Sequence, residues 1–162
     1  MATQDQHPDD ASEPRVSEIM ERDVVTATPE MTVHELVTLM QERGISGMPV
    51  VDDEGRLVGI VTEGDLVVED TDLHLPGYFQ FVLDLSPRKH QKEFEEQLRK
   101  AVGSSVSEIM TTEVATVGPD EPVSHAANIM VEKKVNRVPV VDDDDRLLGI
   151  VARMDIIRML GL

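Results

Sequence analysis

The chain contains two copies of one segment, separated by ninety residues. Residues 16–67 align with residues 106–157 without a gap and give 22 identities in 52 positions. A gapless match of this length indicates a tandem duplication, in which each copy buries its apolar face against its neighbour. A pocket is therefore expected at the junction of the copies. The longest matching pieces are Val16–Met20 with Val106–Met110, and Pro49–Asp53 with Pro139–Asp143.

Composition excludes several classes of function. The 162 residues carry a net charge of -17, and such a field repels phosphate backbones, so nucleic acid is not an expected partner. No apolar run approaches the length of about 18 residues that a membrane span needs. The absence of cysteine excludes disulfides and thiolate chemistry, and it agrees with a cytoplasmic location. Residues 1–15 are polar and acidic, which predicts a disordered tail rather than a signal peptide.

Local patterns predict the order β-α-β-β-α in the first copy. Val24–Thr26 is a short β-prone run, and Thr32 with Glu35 forms a capping box that begins a helix. That helix ends at Arg43–Gly44. Two apolar runs then follow, separated by an acidic turn in which Gly55 is free to adopt a positive φ. Pro49 is expected among the first residues of its strand, where no donor is needed.

The second copy repeats this order, with Pro122 in the first turn of its helix and Asp145 in place of the turn glycine. We therefore predict a first repeat at 16–68, a second repeat at 106–162 and a connector at 69–105. Within the connector, spacing predicts a helix over about 87–102. All four aromatic residues lie in this connector, so it is interpreted as a brace across the halves, with a lid or dimer surface as the alternative.

The element order, the proline-led strand, the acidic turn and the ending Gly-Ile-Val-Thr-x-x-Asp-Leu resemble a CBS domain. Two in tandem resemble a free-standing CBS pair, or Bateman module. The resemblance implies an α/β (α+β) fold with two repeats related by a pseudo-two-fold axis. It also implies a regulatory protein rather than an enzyme, a homodimer, and a ligand such as AMP, ADP, ATP or an S-adenosyl compound in the cleft between repeats.

The candidate ribose site is Thr62 with Asp65, where a strand ends and a helix begins. In the family this hydroxyl and carboxylate bind the ribose, and the equivalent in the second copy is Asp155. The alternative is a helix cap that needs no ligand. The second copy has Ala152 in place of the threonine, so it cannot form the reciprocal cap, yet it keeps the aspartate.

Phosphate contacts are expected from Asn136 and Arg137, with Lys134 nearby, because basic residues occupy the matching positions in nucleotide-binding CBS pairs. A surface ion pair is the alternative for Arg137. The resemblance also implies an apolar slot for the base, although apolar residues here also suit a core. The candidates for that slot are Val25, Ile45, Ser46, Gly47, Met48 and Pro49.

Neither a catalytic site nor a metal site is indicated. The five histidines are scattered without an i,i+4 pair, and the four acids of Asp142–Asp145 lack the alternating spacing of a calcium loop. No nucleophile or catalytic acid–base pair is evident, and no cofactor is required. Two hypotheses remain: a sensor of an adenosine-containing ligand that acts on an unidentified regulated protein, and a ligand-free dimeric scaffold whose acidic face recruits a partner.

Overall fold

The computed structural model describes residues 13–66 and 104–162. These residues group into two compact units. Among the described residues, the central unit comprises 25–66 and 104–114, and the terminal unit comprises 13–24 and 115–162. In the described part of each unit there is one β-hairpin, and each unit is described separately below.

The described helices and strands follow the same order twice, so the predicted mixture of helices and short strands is confirmed. In chain order they are α1 (Val16–Ile19), α2 (Val33–Arg43), β1 (Gly47–Val51), β2 (Leu57–Thr62), a 3-10 helix (Glu63–Leu66), α3 (Val106–Ile109), α4 (Val123–Lys133), β3 (Arg137–Val141), β4 (Leu147–Ala152) and α5 (Arg153–Met159).

The capping box predicted for α2 is confirmed. The Thr32 hydroxyl accepts from the backbone N–H of Glu35 at 3.1 Å, and the Glu35 carboxylate accepts from the backbone N–H of Thr32 at 2.9 Å. The helix ends at Gly44, whose φ of 62° is left-handed. The equivalent helix α4 has no side-chain cap, because its N-cap residue is Pro122. That proline thus precedes the first turn rather than lying within it.

Each hairpin pairs two antiparallel strands through an aspartate-stabilised turn. In the central unit, Asp52 Oδ1 accepts from the backbone N–H groups of Glu54 and Arg56, both at 2.9 Å. Gly55 adopts a φ of 79° in this turn, and Asp145 adopts a φ of 62° in the equivalent turn of the terminal unit. Both turn predictions are confirmed, since glycine and aspartate tolerate this conformation better than most residues.

The predicted first strand is reduced to a single bridge. Instead of a ladder over Val24–Thr26, only Ala27 pairs with β1, donating to Pro49 O and accepting from Val51 N, both at 2.9 Å. The next parallel pair on either side would require the N–H of Pro29 or of Pro49, and proline has none. The terminal unit shows the same pattern, with Val117 bridged to β3 and prolines at both limits.

Pro49 occupies the third position of β1, not its beginning. It lies opposite Ile60, whose backbone N–H and C=O both bond to Thr111 on the far side of β2. Pro49 and Ile60 are therefore a non-hydrogen-bonded pair, so β2 requires no donor from Pro49. The third position is thus compatible with proline because of the register.

Each unit takes its first short helix from the other sequence repeat. In the central unit, α3 follows the connector, and Val106 donates its N–H to Met31 O at 2.8 Å. In the terminal unit, α1 takes the equivalent place, and Val16 donates to Glu121 O at 2.9 Å. Both valines are fully buried. The repeats of the sequence and the compact units of the fold are therefore divided at different residues.

Two clusters of buried apolar side chains stabilise the fold, one in each unit, by removing apolar surface from water. The central cluster contains Ala27, Val33, Leu36, Val37, Met40, Met48, Val50, Val61, Leu66 and Val106. The terminal cluster contains Val16, Met20, Val117, Ala126, Met130, Val138, Val140 and Val151.

Several predictions concern residues outside the described ranges. The predicted disordered tail at 1–15 lies mostly outside these ranges, and so does nearly all of the predicted connector at 69–105 with its helix at about 87–102. The end of the helix predicted after Thr62 also lies outside them. Of that last helix the structure describes one turn of 3-10 helix, Glu63–Leu66. Its equivalent in the second repeat, predicted at 155–160, is α5, which begins two residues earlier.

Candidate functional site

The structure brings Thr62 and Asp65 together at the corner where β2 ends. Asp65 Oδ2 accepts from the backbone N–H of Thr62 at 2.8 Å, and the Thr62 hydroxyl lies 3.4 Å from the same oxygen. The Asp65 side chain thereby satisfies one of the N–H groups left unpaired where the strand gives way to the 3-10 helix. Both residues are only half-buried, so the corner remains open to solvent.

A third residue at this corner, Thr111, was not predicted from the sequence. Its hydroxyl donates to Asp65 Oδ1 at 3.0 Å. Two backbone hydrogen bonds of 2.9 Å, one in each direction, join Thr111 to Ile60 and hold it beside β2. The two carboxylate oxygens of Asp65 therefore have different partners: Thr62 on Oδ2 and Thr111 on Oδ1. We call these three residues the threonine–aspartate corner.

One signal in the sequence could have suggested Thr111. It directly follows the repeated stretch Val106–Met110, and the first copy has Glu21 at the equivalent position. A difference next to an otherwise identical stretch is a reasonable place to look for function. Its contact with Asp65, however, depends on the pairing of Thr111 with Ile60, which sequence spacing does not reveal.

The candidate base-pocket residues belong to the central unit and differ in burial. Met48 is a member of the central core, with 1% of its surface exposed. Val25 and Ile45 are partly buried and pack against that core. Gly47 and Pro49 are buried within β1, and the Ser46 carbonyl accepts from the backbone N–H of Glu63 at 2.9 Å. That bond links the candidate base-pocket segment to the 3-10 helix that carries Asp65.

The terminal unit repeats the aspartate but not its surroundings. Asp155 Oδ2 accepts from the backbone N–H of Ala152 at 2.7 Å, as Asp65 does from Thr62. Its Oδ1 lies 3.7 Å from the guanidinium of Arg158, which is 73% exposed. An ion pair so exposed contributes little to stability. Glu21 occupies the place of Thr111, with two backbone bonds of 2.9 Å to Ile150.

The candidate phosphate-binding residues also lie in the terminal unit. Arg137 begins β3, is half-buried, and lies opposite Ala152 in the hairpin. Asn136 is exposed, and its carbonyl accepts from the backbone N–H of Arg153 at 2.9 Å. Lys134 is exposed at the left-handed end of α4, with a φ of 55°. Asp65 and Arg137 thus belong to different units, and their joint action on one ligand stays a prediction.

Within residues 13–66 and 104–162, no group of histidine, aspartate and glutamate side chains is arranged to hold a metal ion. In the four-acid turn, Asp142 Oδ1 accepts from the backbone N–H groups of Asp144 and Arg146, both at 2.9 Å. This carboxylate stabilises the turn. Among the same described residues, no helix has both the length and the apolar character needed to cross a bilayer.

Two matching units, each with an aspartate at the corner of a β-hairpin, define a tandem-repeat α+β protein. The profile of the CBS domain family matches this chain over residues 16–71 and 106–162. These two segments cover more than half of the chain. The chain therefore belongs to the CBS domain family, and the resemblance found in the sequence is confirmed.

Curated relatives include proteins of very different length. An uncharacterized protein of Methanocaldococcus jannaschii is 35% identical over 152 residues, which cover 90% of this chain and 90% of that protein. The inosine-5'-monophosphate dehydrogenase of the same organism is 31% identical over 144 residues. That match covers 89% of this chain but 23% of the enzyme. The chain thus spans nearly all of one relative and less than a quarter of the other.

Solved structures with this fold include ligand complexes. The CBS domain pair of protein MJ0100, in complex with 5′-methylthioadenosine and S-adenosyl-L-methionine, has a TM-score of 0.66 at 30% identity, covering 92% of this chain and 97% of that one. CBSX2 of Arabidopsis thaliana, in complex with AMP, has a TM-score of 0.66 at 26% identity, covering 91% of this chain and 96% of that one. Both of these structures are of CBS-pair proteins, and each of their bound ligands contains an adenosine moiety.

Proposed function

We propose that this chain is a regulatory module, not an enzyme, that binds an adenosine-containing ligand between its CBS repeats. The ligand is AMP, ADP, ATP or an S-adenosyl compound. Binding changes the conformation of the module or of its homodimer, and a regulated protein senses that change. The observation that carries this proposal is the threonine–aspartate corner, considered together with the adenosine ligands of the two similar structures.

The chemistry of the corner supports a ribose contact. Asp65 is a half-buried acceptor whose carboxylate is oriented by Thr62 and Thr111. A ribose offers two adjacent hydroxyl donors, and hydrogen bonds to a charged acceptor are stronger than those between neutral groups. The carboxylate needs no rearrangement to accept a ribose hydroxyl, so the entropic cost of ordering the site is small.

The remaining parts of the ligand would contact the other predicted residues. In this proposal the base occupies the slot lined by Val25, Ile45, Met48 and Pro49. Backbone groups of Ser46 and Gly47 read its polar edge. Arg137, Asn136 and Lys134 contact the phosphates. The short hydrogen-bonded link between Ser46 and Glu63 supports this division, because it holds the base segment next to the ribose segment within the central unit.

A ligand panel tests the proposal. Isothermal titration calorimetry is run on the full chain with AMP, ADP, ATP, S-adenosyl-L-methionine and 5′-methylthioadenosine, with GMP and GTP as controls for the base. We expect saturable binding of at least one adenosine compound and none of the guanine nucleotides. At a ligand concentration of about 100 Kd, binding stabilises the folded state by about 2.7 kcal/mol. Differential scanning fluorimetry should then show a rise in Tm of about 5–10 °C.

The alternative function, a dimeric scaffold that needs no small molecule, is favoured by a different observation. Within the described residues, the terminal unit exposes Val131 at 72% and Leu162 at 88%, together with part of Met154 and Leu160. Exposed apolar side chains favour contact with another protein surface. This alternative predicts a stable dimer by sedimentation velocity and no heat of binding with any nucleotide. A dimer whose sedimentation changes on addition of an adenosine ligand would instead support the sensor.

A further inference from the structure

We propose that Thr111 is a positioning and specificity residue of the ribose site. Asp65 and Thr111 together form a pair of adjacent acceptors that bind the two hydroxyls of a cis-diol, one hydroxyl to each. The inference rests on the proposed function, because it concerns the ribose of the same ligand. It adds Thr111 to that site. It also predicts that the site binds a ligand more weakly when either ribose hydroxyl is missing.

The bonds of Asp65 leave one acceptor position free on Oδ1, the oxygen that the Thr111 hydroxyl also contacts. An ionised carboxylate offers about four lone-pair sites, two on each oxygen. Oδ2 receives the backbone N–H of Thr62 at 2.8 Å and approaches the Thr62 hydroxyl at 3.4 Å. Oδ1 receives only the Thr111 hydroxyl, at 3.0 Å, among the hydrogen bonds found for it in the described chain. Oδ1 therefore retains capacity for one ligand hydroxyl.

The Thr111 hydroxyl is the second acceptor. A hydroxyl has one proton and two lone pairs. Because Thr111 donates its proton to Asp65, its oxygen can only accept from a ligand. The two oxygens are 3.0 Å apart, a separation suited to two neighbouring hydroxyl groups of one sugar. The two hydroxyl donors of a cis-diol would thus meet two oxygen acceptors. Neither acceptor has a proton of its own directed at the ligand.

The backbone holds the Thr111 hydroxyl in this position. Thr111 and Ile60 exchange two hydrogen bonds of 2.9 Å, so the backbone on both sides of the corner is fixed. The side chain of threonine is β-branched, which restricts its rotation about χ1. Thr111 is nevertheless exposed, so a ligand can reach its oxygen. Little conformational freedom would be lost when the ligand binds.

The terminal unit lacks this pair. At the position equivalent to Thr111 it has Glu21, whose Oε1 accepts from the backbone N–H of Asp23 at 2.8 Å. An ionised carboxylate has no proton to donate, so Glu21 cannot orient Asp155 as Thr111 orients Asp65. Among the ion pairs of the described residues, the partner of Asp155 is Arg158, at 3.7 Å. The cis-diol site is therefore expected at Asp65 and not at Asp155.

The test combines ligand and protein changes in a double-mutant cycle. Calorimetry measures the Kd of AMP, 2′-deoxy-AMP and 3′-deoxy-AMP for the wild-type chain, Thr111→Val and Thr111→Ser. For the wild type we expect each deoxy ligand to bind about three- to tenfold more weakly than AMP, because one acceptor is left unpaired. Thr111→Val removes the hydroxyl but keeps the shape of the side chain. This variant should bind AMP and one of the two deoxy ligands with equal affinity. Thr111→Ser should retain both penalties.

The outcomes separate this inference from the proposed function. If Thr111→Val binds AMP as tightly as the wild type and keeps both deoxy penalties, Thr111 has no role in the site, although the sensor proposal stands. If Thr111→Ser loses affinity as much as Thr111→Val, the methyl group and not the hydroxyl matters, and the inference is overturned. If the wild type binds none of the adenosine compounds, the proposed function itself fails, and this inference fails with it.

Discussion

The two units of this CBS protein place an aspartate at the same corner and surround it with different chemistry. Asp65 has two threonine hydroxyls beside it, whereas Asp155 has an alanine and an exposed arginine. In both units the carboxylate accepts one backbone N–H, at 2.8 Å and 2.7 Å. The bond they share stabilises the corner and explains the presence of aspartate in both copies without any ligand. Only the differences between the corners therefore carry information about binding.

The charges near the two corners also differ. The terminal unit has Arg137 opposite Ala152 and Arg153 immediately after it. At the equivalent positions the central unit has Gly47 and Glu63. After duplication, each copy kept the backbone bonds that fold the corner, while the side chains that face solvent were free to change. The central unit carries oriented acceptors, and the terminal unit carries cations.

The largest expected effect compares the two aspartates. Asp65→Ala should weaken AMP binding about 30- to 100-fold, because it removes the charge-assisted hydrogen bond to the ribose and the partner that orients the Thr111 hydroxyl. Asp155→Ala is the matched control, since it removes the same kind of backbone bond and should leave the Kd within about twofold. Calorimetry gives the affinities, and urea unfolding should show similar destabilisation of both variants. Equal losses of affinity would contradict the functional difference between the corners.

The second prediction compares two equivalent glycines, Gly59 in β2 and Gly149 in β4. Each lies against the residues that directly follow a short helix, α3 for Gly59 and α1 for Gly149. A Cβ added to Gly149 would lie 2.7 Å from the backbone oxygen of Glu21, which cannot move independently. At Gly59 the added Cβ would lie 2.7 Å from Met110 Sδ, which belongs to a flexible side chain. It would also lie 3.0 Å from the backbone oxygen of Thr111. Gly149→Ala should therefore cost about 2–3 kcal/mol and Gly59→Ala about 1 kcal/mol.

The free energies of unfolding of these two glycine variants are measured in urea. A larger loss for Gly59→Ala than for Gly149→Ala would mean that the methionine is the less adaptable neighbour. That result would contradict the difference in packing inferred between the two units.

The third prediction concerns the cations of the terminal unit. Arg137→Ala should weaken AMP binding about tenfold through loss of a phosphate contact, and it should leave binding of 5′-methylthioadenosine, which has no phosphate, unchanged. Arg137→Lys retains the charge and should recover part of the AMP affinity. Calorimetry with both ligands provides the comparison. Equal weakening of both ligands would mean that Arg137 acts on the fold of β3 and not on the phosphate.

The smallest expected effect compares the beginnings of α2 and α4. Thr32→Ala removes a side-chain cap and should lower the free energy of unfolding by about 1 kcal/mol. Pro122→Ala removes no such cap and should change it by less than about 0.5 kcal/mol. Urea unfolding followed by circular dichroism measures both. If the two variants lose equal stability, the capping box of α2 contributes no more than the uncapped start of α4.

Much of the local structure could be predicted from the sequence, because the interactions that determine it join residues a few positions apart. The capping box of Thr32 and Glu35, the left-handed turn residue Asp145, and the contact between Thr62 and Asp65 all involve spacings of one to three residues. The first strand was predicted wrongly, since its extent depends on which N–H groups of a neighbouring strand are missing. Its limits are set by prolines that lie in two separate segments.

The sequence by itself determined the duplication, the family, the two longer helices, the strands of each hairpin and the aspartate at each hairpin corner. Tertiary structure alone decided which short helix completes each unit and that Thr111 lies beside Asp65. The bond between Thr111 and Asp65 joins residues 46 positions apart. Such a contact depends on strand register and on the burial of a helix from the other repeat, which are properties of the folded chain and not of any local spacing.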